Sequence, residues 1–94
     1  MKIVFLPSAK PSVRWFNAYY GQVFPEGSAN ARKSMANAKR MLIAYPMSGT
    51  QIEGRRARLF QISKTPFAVI YRIGSDRIEI LALHDSRSEH MPGL

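Results

Sequence analysis

Residues 67–83, FAVIYRIGSDRIEILAL, constrain the fold of this chain more than any other stretch. Two runs rich in β-branched and aromatic residues, Phe67 to Ile73 and Arg77 to Leu83, are separated only by Gly74 to Asp76. A connection that short allows little but an antiparallel return. In the first run Phe67, Val69, Tyr71 and Ile73 share one face, and in the second Ile78, Ile80 and Ala82 do, because side chains alternate along a strand. Arg56 to Ile62 reads as a third strand, joined through the turn Ser63 to Pro66, so this half of the chain is expected to be an antiparallel meander.

Upstream the period is helical. Lys2 to Leu6, KIVFL, reads as a strand stopped by Pro7. Ser12, after Pro11, reads as the N-cap of a helix carrying Val13, Trp15, Phe16, Tyr19, Tyr20, Val23 and Phe24 at recurring spacings of three and four, ended by Pro25 and Gly27. Ser28 reads as the cap of a second helix in which Ala31, Met35, Ala38, Leu42 and Tyr45 form the apolar face, while Arg32, Lys33, Asn37 and Arg40 occupy other faces. The FPEGS connection is short enough to make the two helices an antiparallel hairpin. YPMSGTQIEG, residues 45–54, reads as a loop. The element order β-α-α-β-β-β defines an α+β fold of two layers, a helix hairpin packed on a small, mainly antiparallel sheet, with residues 1–94 as a single domain.

Composition limits the classes of function. A chain of 94 residues has room for one modest core that buries roughly 60–70% of its unfolded surface. Hydrophobic residues at 46% and aromatics at 11% argue against disorder, and the apolar runs are too short to span a bilayer. Without cysteine there is neither a disulfide frame nor a thiolate nucleophile. MKIVFLPSAKP lacks the apolar length of a secretory signal. A cytoplasmic protein without metal or cofactor is expected. Fourteen Lys and Arg against six Asp and Glu give a formal charge of +8, which attracts nucleic acid or an acidic protein.

Several features together resemble one family. They are the element order, YPMSG after the second helix, the arginine-bearing first strand of the meander, and PFAVIYRIGSDRIEILALHDSR. In these the chain resembles the RelE/ParE superfamily of type II toxin-antitoxin toxins over nearly its whole length. The resemblance implies a small basic toxin held in a hetero-oligomer by an acidic antitoxin, with operator DNA reached only through that antitoxin. It leaves two activities open, because one fold hosts both. RelE-like members cut messenger RNA on the ribosome, whereas studied ParE-like members poison DNA gyrase.

RelE-like nucleases typically place an arginine near the start of the middle meander strand and a His or Tyr after the last one. Here those positions read Ala68, then Asp85, Ser86 and Arg87. An alanine supplies neither charge nor proton, and metal-free RNA cleavage needs both. HDSR is closer to the ParE-like pattern, in which a histidine ends the last strand and an arginine follows. The expectation is therefore a ParE-like gyrase inhibitor neutralised by a ParD-like antitoxin, a binding protein rather than an enzyme. A ribosome-dependent nuclease is the alternative, and a non-toxic partner in a repressor complex the second alternative.

Candidate target contacts are Arg56, Arg58, Arg72, His84 and Arg87. Arg56 and Arg58 are expected on one face of a strand, beside Arg72 and Arg77. His84 is expected at the core edge, on the alternation of Ile80 and Ala82. Candidate antitoxin contacts are the aromatic face of the first helix, Trp15, Phe16, Tyr19 and Tyr20, and the basic residues Arg32, Lys33, Lys39 and Arg40 of the second. HDSRSEH, residues 84–90, gathers catalytic residue types, but adjacent strand residues point to opposite faces, so His84, Asp85 and Ser86 make no triad. His84 and His90 without a cysteine also make a poor metal site.

Overall fold

Pro7 has no N–H to give to a ladder, so the first strand, β1 (Lys2–Phe5), stops just short of it. A 3₁₀ turn, Pro7–Ala9, then leads into α1 (Lys10–Ala18). The computed structural model describes residues 1–88. α1 runs into a π turn, Tyr19–Val23, closed by Phe24 N–H donating to the Tyr19 carbonyl (2.7 Å). A second 3₁₀ turn, Pro25–Gly27, precedes α2 (Ser28–Ala44). Four strands follow: β2 (Thr50–Gln51), β3 (Arg58–Gln61), β4 (Phe67–Ile73) and β5 (Arg77–Asp85). They form a five-stranded sheet in the order β1-β5-β4-β3-β2, with β1 parallel to β5 and the other pairs antiparallel. The two-layer α+β arrangement expected from the sequence is the one observed.

Both serines read as N-caps have other positions. Ser12 lies inside α1, where its hydroxyl donates to the Ala9 carbonyl (3.0 Å) and accepts from Leu83 N–H (2.9 Å). Ser8 donates to the Leu81 carbonyl at 2.9 Å. β5 outruns its parallel neighbour, whose last register partner is Phe5 opposite Ile80, so these two hydroxyls take over where the ladder to β1 ends. Buried backbone groups require such partners. Ser28 is the first residue of α2 rather than its cap, and Gly27 occupies the cap position without a side-chain bond.

The predicted loop contains β2, too short to show an alternation. Arg56 falls outside the strand expected to carry it. A tight turn closed by Ile52 N–H on the Ala57 carbonyl (2.9 Å), with Gly54 at φ 75°, delays β3 until Arg58. Glycine adopts that left-handed backbone without the strain a side chain brings.

The expected alternation of β5 is interrupted. Ile70 pairs with Ala82 but Tyr71 pairs with Ile80, so Leu81 is an extra residue, a β-bulge. The bulge shifts the phase: Ile78, Ile80 and Leu83 join the main core under the helices, while Ala82 joins a smaller cluster with Ile70, Leu81 and Ala57. Ala82 and His84 therefore do not share the face of Ile80. The main core sets Phe67, Val69 and Tyr71 of β4 against Ala31, Ala38 and Leu42 of α2 and Tyr20 after α1. Ile73, read on the same face, lies at the strand end and is 40% exposed. Among the described residues no helix is long and apolar enough to cross a membrane.

Candidate functional site

Because β5 continues to Asp85 on the shifted phase, this carboxylate comes to lie beside α1. Trp15 Nε1 donates to Asp85 Oδ2 at 3.0 Å. Arg87 folds back on the same carboxylate, donating from Nε to Oδ1 (2.9 Å), from Nη2 to Oδ2 (2.8 Å) and from its backbone N–H to Oδ1 (3.0 Å). Its Nη1 donates to the Tyr19 hydroxyl at 3.1 Å, and its guanidinium carbon lies 4.5 Å from the Tyr19 ring centroid. The Arg87 hydrogen bonds hold the Asp85 carboxyl well below the usual carboxylate range, and Asp85 in turn raises Arg87. Paired, stacked and hydrogen-bonded, this arginine is pre-organised rather than free.

Ser86 is used elsewhere: its N–H (2.7 Å) and hydroxyl (2.8 Å) both donate to the Pro66 carbonyl. His84, opposite Ala68 in register, is half-buried on the adjacent, alternate strand position. His84, Asp85 and Ser86 thus form no triad, and Glu89 and His90 lie outside the described residues.

The acid side of the stability profile should carry the mark of Asp85. Its folded-state pKa is depressed, so its stabilisation is present above the unfolded value of about 4 and is lost as pH falls toward the folded value. Glu79, lowered by hydrogen bonds from Arg72 and Arg77, acts on the same limb, so the readout is a difference between variants. Asp85→Asn is expected to cost about 1 kcal/mol at neutral pH, modest because Arg87 is half-exposed and screened. In urea melts the gap to the unsubstituted protein should narrow below about pH 4. A gap that stays constant with pH would exclude this role.

The other candidates regroup into two grooves. Arg56, Arg58 and Arg72 line one of about 550 Å³ with Gln51 and Glu79. Arg58 is also tied to the loop before β2, donating from Nη1 to the Gly49 (2.8 Å) and Met47 (3.2 Å) carbonyls. Phe16, Tyr20, Arg32 and Lys39 line the second, of about 410 Å³, between the two helices with Ala31 and Met35. Lys33 and Arg40 are exposed outside it, Arg40 donating to Asn37 Oδ1. Tyr20 is 8% exposed and chiefly core, whereas Trp15 is 43% exposed. The residues read as two sets therefore mix: Arg87, grouped with the target contacts, sits on Tyr19, grouped with the antitoxin contacts.

Sequence reasoning set the Asp85 carboxylate aside with the triad and did not single out Glu79. The signal for Glu79 was an acid two residues after Arg77 on a strand whose hairpin partner carries Arg72; for Asp85, contact with Trp15 spans 70 residues and no local pattern announces it.

The helix hairpin on one face of a small mixed sheet is the arrangement that the resemblance to RelE/ParE-type toxins implied. Among solved structures, the chain is similar to one described as "Chromosomal ParDE TA system from P. aeruginosa", with a TM-score of 0.68 and 19% identity over 90% of this chain and 95% of that one. No protein-family model and no curated protein sequence matches the chain.

Proposed function

We propose that the protein is a ParE-like toxin of a type II toxin-antitoxin system, which inhibits DNA gyrase by protein contact and is neutralised by an acidic ParD-like antitoxin. The observation that carries this reading is the whole-fold likeness to the chromosomal ParDE system, spanning 90% of the chain. Ala68 supports binding over nuclease chemistry: it is 1% exposed, and at this position an arginine would be needed to meet a scissile phosphate. The groove between the helices supports capture of an antitoxin segment, with apolar Phe16 and Met35 beside Arg32 and Lys39. Apolar anchors supply affinity in such a groove, and the cations speed association with an acidic partner.

Expression without the antitoxin is expected to arrest growth with loss of DNA supercoiling or double-strand breaks, while transcripts stay intact. Gel analysis of plasmid topology and mapping of transcript ends in the same cells check this. In-frame cuts in translated messages would replace the reading with a nuclease, and unimpeded growth with a non-toxic repressor partner.

A further inference from the structure

The groove at the end of the sheet is constructed differently from the basic surface of the helices. Arg72 donates only its Nε to Glu79 Oε1 (2.5 Å), whereas Arg77 donates Nε (2.9 Å) and Nη2 (2.7 Å) to Glu79 Oε2. Glu79 is 8% exposed and lies opposite Arg72 in register, so the carboxylate fixes the base of the Arg72 guanidinium. The Arg72 side chain remains 50% exposed. Its two terminal amino groups thus form an outward planar fork, the geometry that meets two oxygens of one phosphate.

Arg56 lines the same groove, exposed and without a hydrogen bond or ion pair among the described residues. The lining holds three arginines and one carboxylate, and that carboxylate is already taken up by Arg72 and Arg77. Lys2, the register partner of Arg77 on β1, extends the cationic line across the sheet. Several cations spread along one surface, with Arg72 held in place by Glu79, favour a ligand that repeats its negative charge, as a phosphodiester chain does.

We propose that this groove binds the backbone of a nucleic-acid strand, with the Arg72 fork on one phosphate and Arg56 on a neighbouring one. The contact positions the strand and cuts nothing. It draws on Arg56 and Arg72, also read as target contacts, but it is measured with nucleic acid alone, so its failure would leave growth arrest and antitoxin capture untouched.

Fluorescence anisotropy with a labelled DNA oligonucleotide, single-stranded and duplex, tests it. Arg56→Ala/Arg72→Ala should weaken binding about tenfold or more and lower the slope of log affinity against log salt by about two. Lys10→Ala/Arg14→Ala, which removes the same charge from α1, should weaken it only about two- to threefold, since it lowers the general field alone. Equal losses in the two variants would overturn the proposal in favour of diffuse attraction. Arg56→Glu keeps the test decisive if loss of Arg72 disturbs Glu79: unchanged binding by this variant would also overturn it. Competition by inorganic phosphate or a mononucleotide at concentrations matching the oligonucleotide's phosphates would assign the groove to a free phosphate compound instead.

Discussion

Phe67→Ala is expected to remove about 3–5 kcal/mol of folding stability, the largest effect of any single change considered. Phe67 is fully buried at the start of β4, and its ring centroid lies 4.9 Å from Phe16, 5.7 Å from Tyr19 and 6.0 Å from Tyr20. The three neighbours come from α1 and the π turn after it, so this one side chain joins the helix layer to the sheet. Deleting it loses the transfer energy of an aromatic ring and leaves a cavity that three partly fixed rings cannot close. Against a total stability of about 5–15 kcal/mol for a natural domain, the variant should sit near its folding threshold. Phe67→Leu, which keeps most of the volume, should lose much less. Urea melts give the magnitudes; a Phe67→Ala loss under about 1 kcal/mol would mean that the ring cluster does not tie the layers together. The same measurement bears on the site, because Tyr19 carries Arg87. In a Phe67→Leu protein that remains folded, the Trp15 fluorescence should shift as Tyr19 and the Asp85 cluster loosen.

The layers and the antiparallel pairing of β3, β4 and β5 were legible because their signals are local, whereas the parallel pairing of β1 with β5 and the short β2 were not. Alternation over β4 and β5, the three-residue turn between them and the Pro7 stop each depend on neighbours in sequence. The bulge at Leu81 was not legible. Ile78, Ile80 and Ala82 alternate perfectly on paper, and only the competing demands of two clusters, one under the helices and one on the opposite face, shift Ala82 away from Ile80. This single extra residue changes the reading of the strand's end, turning Asp85 rather than His84 toward α1. Ser12 failed as a cap for a related reason: its hydroxyl is claimed by Leu83, 71 residues away. Residue types of the candidate site were thus visible from charge and chemistry, but their grouping follows from long-range register.

That distinction explains why Arg58 and Arg72, though both lining the groove, act differently. Arg58 lies opposite Tyr71 and serves the loop carbonyls, while Arg72, one residue further along β4, turns to Glu79. The alternation of the pleat divides them. Arg72 is therefore available to a ligand through its outward fork, and Arg58 contributes charge while holding the wall of the groove.

The wall that Arg58 holds gives the second large effect. Gly49→Ala is expected to cost about 2–4 kcal/mol, combining overpacking with broken hydrogen bonds. A Cβ on Gly49 would stand 2.7 Å from the Tyr71 hydroxyl, 2.8 Å from its Cε1 and 3.0 Å from the Leu59 carbonyl oxygen. Tyr71 is fully buried and cannot swing aside, so the loop must lift. Lifting breaks three bonds at once: Gly49 N–H to the Tyr71 hydroxyl (3.0 Å), that hydroxyl to the Pro46 carbonyl (2.6 Å), and Arg58 to the Gly49 carbonyl (2.8 Å). Here lies the physical content of the YPMSG phrase and the tyrosine of β4. Tyr71→Phe alone should cost about 1–2 kcal/mol, since it strands a buried N–H and a carbonyl. In the double variant the hydroxyl that clashes with Cβ is gone, and two of the three bonds that Gly49→Ala breaks, those made by that hydroxyl, are already lost. The combined cost should fall short of the sum by about 1 kcal/mol or more. Strict additivity in a double-mutant cycle would show that Gly49 and Tyr71 do not act on one another. A shortfall locates the docking of the loop on that hydroxyl, and with it the position of Arg58 at the groove.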